Sequence, residues 1–153
     1  MTENFKNFCT WFCGFTDGEG CFHINKNKTG FSPEFRLSLR IDDVGILNEI
    51  QKRFNFGKVY LKKRKFREKY PNQKDNMVYC VWKIKDCFEL INNIELGGGL
   101  KSKKKRDYEV WKEFIMFKMK NRFKVMLKER TQYEHNKCEE LKSIRKFNNN
   151  LIH

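Results

Sequence analysis

Residues 11–20 read W-F-C-G-F-T-D-G-E-G, and no other stretch of the chain restricts the fold as tightly. Gly14 and Gly18 are four apart, so on a helix they share one face. A glycine in a helix interior costs about 1 kcal/mol relative to alanine. Two on one face point to a second backbone passing close by. Trp11, Phe12 and Phe15 supply apolar surface around the remaining sides. The helix is expected to start from a cap at Asn7 or Thr10, after a short polar lead, and to end at residues 18–20. Asp17 and Glu19 then sit at its C-terminal end, where exposed carbonyls and partial negative charge favour cations. Carboxylates beside free carbonyls are the oxygen donors that a hard divalent cation takes. A helix ending in a polar turn with two solvated acids accounts for the same residues.

The charge balance points to a partner. The 153 residues hold 33 basic and 19 acidic side chains, a net charge of +14, which suits a polyanion. The first 56 residues carry seven groups of each sign, whereas residues 57–76 carry +6 and residues 77–153 carry +8. A uniform solubility coat does not leave the first third neutral. Fifteen phenylalanines supply core despite this charge, and the length suits one domain, residues 1–153. The six cysteines form no Cys-x-x-Cys pair, and the three histidines complete no zinc spacing. Reduced, intracellular thiols are expected. The first residues hold no basic run, so no secretory leader is expected. No apolar run nears the ~20 residues of a membrane helix, so no membrane partner is expected. The abundance of Lys, Asn and Phe suits an AT-rich organellar, phage or bacterial genome.

Periodicity orders the rest. Residues 21–28 alternate, with Phe22 and Ile24 opposed to Cys21, His23, Asn25 and Asn27. Residues 28–33 read as a loop, and 34–42 alternate again, with Phe35, Leu37, Leu39 and Ile41 opposed to Arg36, Ser38 and Arg40. The pair is an antiparallel hairpin with one wet face. Residues 43–54 switch to helical spacing, with Asp42 or Asp43 as cap. Residues 58–66 form a strand, 67–76 a basic loop, and 77–84 its partner strand. In that partner strand Val78, Cys80, Trp82 and Ile84 oppose Met77, Tyr79, Val81 and Lys83. Helices follow at 86–94, burying Phe88, Leu90, Ile91 and Ile94, at 107–120, with Tyr108, Trp111, Ile115 and Met119 on the apolar side, and at 133–147. Gly97, Gly98 and Gly99 mark a flexible break, and 148–153 a loose end. Four antiparallel strands with helices on one face make an α+β domain.

Residues 12–20, F-C-G-F-T-D-G-E-G, resemble the single-copy motif of the LAGLIDADG homing endonucleases. Phe12, Cys13 and Gly14 stand for its Leu-Ala-Gly; Asp17 and Glu19 stand for its acids. Residues 96–111, L-G-G-G-L-K-S-K-K-K-R-D-Y-E-V-W, resemble the segment that opens a later helix of the family. The resemblance covers about residues 8–120. It implies the α-ββ-α-ββ-α fold with an extra C-terminal helix and a saddle of four antiparallel strands. It also implies a homodimer joined through the motif helix at Trp11, Cys13, Gly14, Asp17 and Gly18. Each copy would lay its sheet on half of a long, partly palindromic double-stranded DNA site and cut one strand with Mg²⁺ or Mn²⁺. By the same resemblance Glu19 and the Gly18 carbonyl hold the metal. Lys103 or Lys104 stands near the scissile phosphate, with spacing to Asp107 favouring Lys104. Where the family often has a water-positioning glutamine, this chain has Asp42 and Asp43, and Asp43 is the candidate.

Base reading would fall to the polar strand faces: His23, Asn25, Asn27, Arg36, Ser38, Arg40, Tyr60, Lys62 and Arg64, with Tyr79 and Lys83 beside them. Arginine or lysine pairs with guanine and asparagine with adenine. A solvated strand face is the plain alternative for each. Two other functions suit the same fold: an intron maturase binding its own intron RNA, and a DNA-binding regulator that does not cut. A basic protein binding RNA without sequence preference would show steep salt dependence instead.

Overall fold

The computed structural model describes residues 2–63, 68–121 and 127–150. Its elements run α1 (Glu3–Glu19), β1 (Gly20–Asn27), β2 (Gly30–Arg40), α2 (Val44–Phe54), β3 (Lys58–Lys62), β4 (Asn76–Val81), α3 (Ile84–Leu96), α4 (Lys104–Lys120) and α5 (Leu127–Asn150). A single 3-10 turn, Ile41–Asp43, precedes α2. The order is the expected α-ββ-α-ββ-α, followed by two helices.

Helix α1 starts at Glu3, ahead of both expected caps, and no side chain caps it. An acid in the first turn suits the positive end of the helix. Thr10 lies mid-helix, its hydroxyl donating to the Lys6 carbonyl at 3.1 Å. Phe8, Cys9, Phe12, Cys13 and Thr16 recur at helical spacing and form the buried face. The helix passes into β1 with no loop, and Gly20 makes that passage. Its amide donates to the Thr16 carbonyl. A Cβ there would lie 2.8 Å from that oxygen and 3.1 Å from the Phe35 ring.

Strands pair antiparallel in the order β1-β2-β4-β3. The expected loop at 28–33 shrinks to a two-residue turn. The Asn27 carboxamide oxygen accepts from the Thr29 amide at 3.0 Å and hydroxyl at 3.1 Å, a side-chain-closed turn. Strand β2 therefore begins at Gly30, and Pro33 pairs with Ile24 where only β1 flanks it. A missing N–H there breaks no ladder bond to β4.

The helices cover one face of this sheet. Phe22, Phe35, Leu37, Tyr79 and Val81 from the strands join Phe12, Ile50, Leu90, Trp111 and Phe114 from the helices in one core. The Phe22 ring centroid lies 5.1 Å from those of Phe35 and Trp111. Burying rings of this size stabilises by about 1.5–3 kcal/mol each.

Five expectations are corrected. Leu37 pairs with Tyr79 and Arg36 with Cys80, so Tyr79 faces the core while Val78 and Cys80 lie on the open face. Tyr79 is fully buried, and its hydroxyl donates to the Phe56 carbonyl at 3.0 Å. Both faces of β4 are apolar, so alternation could not orient it. The strand also stops at Val81, leaving Trp82 exposed. Met119, assigned to the apolar side of α4, is exposed. The three glycines form a hydrogen-bonded turn, their amides donating to the carbonyls of Asn93, Glu95 and Ile94, and Gly97 is packed: a Cβ on it would come within 2.3 Å of the Cys9 carbonyl oxygen of α1. Helix α5 begins at 127 and runs through 150, longer at both ends than its pattern suggests. It lies against α4, β1 and β2, and the Cys138 thiol donates to the Ile24 carbonyl at 3.2 Å.

Candidate active site and nucleic-acid interface

The end of α1 meets the start of α4. The Asp17 carboxylate accepts from the Lys101 amide at 3.0 and 3.1 Å and from the Ser102 amide at 2.9 Å. Burial alone would raise its pKa. The amides of Ser102 and Lys101, with the Lys104 ammonium, outweigh burial and hold it below the ordinary carboxylate range. Asp17 thus fastens the 101–102 backbone to the motif helix. That fastening delivers Lys104, whose ammonium donates to the Gly18 carbonyl at 2.7 Å. Lys103 is exposed at the position before α4. Glu19, the last residue of α1, is exposed one residue before β1 begins.

On the outer side of α1, Gly14 and Gly18 are exposed, and among the described residues a Cβ on either would meet nothing within 4 Å beyond the helix's own backbone. Trp11 is 45 % exposed, its ring stacked on Phe15 with centroids 5.2 Å apart. Cys13 does not belong to this face. It is buried, and its thiol donates to the Ile94 carbonyl of α3 at 3.3 Å. The periodicity explains this, because Cys13 shares the inner stripe of Cys9 and Phe12.

The open face of the sheet carries His23, Asn25 and Asn27 from β1, Glu34, Arg36, Ser38 and Arg40 from β2, and Lys58, Tyr60 and Lys62 from β3. The register sets these against one another: His23 opposite Glu34, Cys80 between Arg36 and Lys58, Val78 between Ser38 and Tyr60. Several are already engaged. Arg36 pairs with Glu34 at 2.6 Å, and the Asn25 amide donates to Glu34 at 3.4 Å. Arg40 and Lys74 both hold Asp42, at 3.0 and 2.7 Å. Their hydrogen bonds, Lys74's foremost, keep the Asp42 carboxyl below its usual range. Neither Asp42 nor Asp43 caps α2 by its side chain, and Asp43 is exposed. Lys83 lies beyond β4 at the head of α3, lining a groove with Phe88 and Met119 on the helix side. It is therefore not on the open face. Arg64 falls outside the described residues.

Two residues on this surface escaped the sequence reading. Glu34 is the outward neighbour of Arg36 in an alternating strand and could have been found there. Arg145 carries no local signal. It reaches from α5 to the β1 edge, 3.1 Å from His23 Nδ1 and 3.9 Å from Asp107. Burial pushes the Asp107 carboxyl up against the pull of Arg145 and Lys104.

Among the described residues, no group of three or more His, Cys, Asp or Glu is placed to hold a metal. The donors at the helix end are one exposed carboxylate, Glu19, and one backbone carbonyl, Gly18. Such a set suits a cation that completes its shell with water and phosphate oxygens, as Mg²⁺ does, and not a closed all-protein cage.

Comparison with known proteins gives the same outline. A search of curated proteins finds no match. The homing endonuclease I-TnaI is 24 % identical with a TM-score of 0.62, over 90 % of this chain and 95 % of that one. I-CvuI, in complex with its target and Ca, is 15 % identical with a TM-score of 0.70, over 94 % and 85 %. These two likenesses show the fold. The LAGLIDADG homing endonuclease I-GzeII, in complex with a DNA target, is 28 % identical with a TM-score of 0.62, over 90 % of this chain. The chain spans 43 % of I-GzeII and 38 % of the DNA-bound meganuclease I-AabMI. The family model for LAGLIDADG endonuclease matches residues 12–115. Across more than half its length, and in the helix, sheet and order that carry the motif, the chain belongs to the LAGLIDADG endonuclease family.

Proposed function

We propose that two copies of this unit pair through the outer face of α1 and make a metal-dependent double-strand break in a long, partly palindromic DNA site. One observation carries the reading. The Glu19 carboxylate stands exposed between the glycine face of α1 and the first strand of a sheet whose open face bears arginine, lysine, histidine, asparagine and tyrosine. Strands of such a sheet can enter a major groove about 12 Å wide. Glu19 and the Gly18 carbonyl would hold Mg²⁺ or Mn²⁺, which supplies charge neutralisation at phosphate and a more acidic bound water. The chain does the rest. Asp17 locks the 101–102 backbone, and Lys104 brings a positive charge to the same point. Pairing across Gly14 and Gly18 would set two Glu19 carboxylates near one another, one for each DNA strand.

The test is cleavage of a genomic or randomised DNA library with Mg²⁺ or with EDTA, followed by sequencing of the new ends. Mg²⁺-dependent ends at one long site, absent with Glu19→Gln, are expected. Full-rate cutting by Glu19→Gln overturns the assignment. Binding one site without cutting would assign a regulator, or a maturase if an intron RNA binds too.

A further inference from the structure

The Arg145 guanidinium is placed on the His23 ring, and its chemistry determines the state of that ring. Its NH1 lies 3.1 Å from His23 Nδ1, and its NH2 lies 3.8 Å from the Cys21 thiol. A guanidinium has five N–H donors and no acceptor. The contact is a hydrogen bond only if Nδ1 is bare, which leaves the ring proton on Nε2. The residues are 122 apart in sequence, so the contact exists because α5 lies along the β1 edge.

We infer that Arg145 is a positioning residue that holds His23 as the neutral Nε2–H tautomer, so that His23 offers DNA a hydrogen-bond donor and never an acceptor. Such a donor suits an acceptor on a base edge, such as purine N7, guanine O6 or thymine O4. This deepens the DNA-binding reading above and rests on it. The groups around the ring agree. From α5 comes Arg145, from β2 come Arg36 and Glu34, and from β3 comes Lys62. Burial, then Arg145, Arg36 and Lys62 push the His23 pKa down to about 4, and Glu34 alone opposes them. A second proton on the ring would face the Arg145 charge directly. His23 therefore keeps one state across the physiological range, which an unconstrained histidine would not.

The experiment is ¹⁵N NMR of the histidine-labelled, full-length, DNA-free protein, with His23→Gln assigning its signal among three histidines. A bare Nδ1 and a protonated Nε2, unchanged between pH of about 5.5 and 8, are expected. Arg145→Gln should give mixed tautomers and a titration above the wild-type one, still held below the ordinary histidine value of about 6.5 by burial, Arg36 and Lys62, with Arg145→Lys restoring much of the bias. The base selected at one position of the library should then broaden in Arg145→Gln to edges that offer a donor, because the second tautomer accepts at Nε2, and stay narrow in the wild type. A wild-type ring that carries its proton on Nδ1, or titrates near 6.5, overturns the inference without any variant having to fold. An unchanged tautomer in a folded Arg145→Gln protein overturns it too. Absence of any DNA binding would sink the proposed function while leaving the tautomer result standing.

Discussion

The Lys104 ammonium lies 2.7 Å from the carbonyl oxygen of Gly18, on the residue before the exposed Glu19 carboxylate. A cation already occupies the carbonyl that a divalent ion would use. Were a divalent ion held there, the two positive charges would repel, and Lys104 would be turned toward a nearby phosphate.

Lys104→Met should therefore lower single-turnover cleavage by about 10²-fold, the scale for losing one placed transition-state donor. Thermal melting should change little, because the one hydrogen bond lost is to the carbonyl of an exposed residue. Lys103→Met should cost far less. Equal losses for the two lysines would show that the basic run acts as a diffuse phosphate contact.

Asp17→Ala removes a charged acceptor from three amide contacts. A destabilisation of about 2 kcal/mol is expected from urea unfolding, together with reduced cleavage as Lys104 loses its anchor. The pH sign follows from the depressed carboxyl. Its stabilisation is present above the unfolded value of about 3.9 and is lost as pH falls through the lower folded value. The acid limb of the wild-type stability curve should flatten in Asp17→Asn. An unchanged limb would remove Asp17 from the list of anchors.

Gly14→Ala separates the copy from the pair. Apart from the backbone of α1 itself, no atom of the described residues lies within 4 Å of the added Cβ, and alanine in a helix gains about 0.5–1 kcal/mol over glycine. The isolated copy should hold its melting temperature or gain slightly, while sedimentation velocity shows weaker association. Gly14→Leu should abolish pairing in a folded chain. Pairing that survives Gly14→Leu would place the interface elsewhere.

Tyr79→Phe tests the corrected orientation of β4. The hydroxyl meets the Phe56 carbonyl inside the core, so its loss should cost about 1 kcal/mol of stability and leave the selected DNA site unchanged. Tyr60→Phe, on the open face, should do the reverse. A changed site preference in Tyr79→Phe would argue that residue 79 reaches the groove.

The sequence by itself determined the element order, because periods of 3.6 and 2 are properties of each segment alone. The hairpin's covered residues Phe22, Ile24, Phe35 and Leu37 and the acids at the helix end were legible this way, whereas the inner stripe of α1 was not, since Cys13 was expected on its outer face. Position relative to other segments was not. Alternation in β4 groups Tyr79 with Val81 but does not say which side the helices cover; the pairing of Leu37 with Tyr79 says it. Four lysines and an arginine between 101 and 106 are equivalent in sequence. The amides bound by Asp17 select the one that meets Gly18. Arg145 has no meaning along α5 until that helix lies on the β1 edge and meets His23. Ladder register and helix docking are contacts between distant residues, and only tertiary structure decides them.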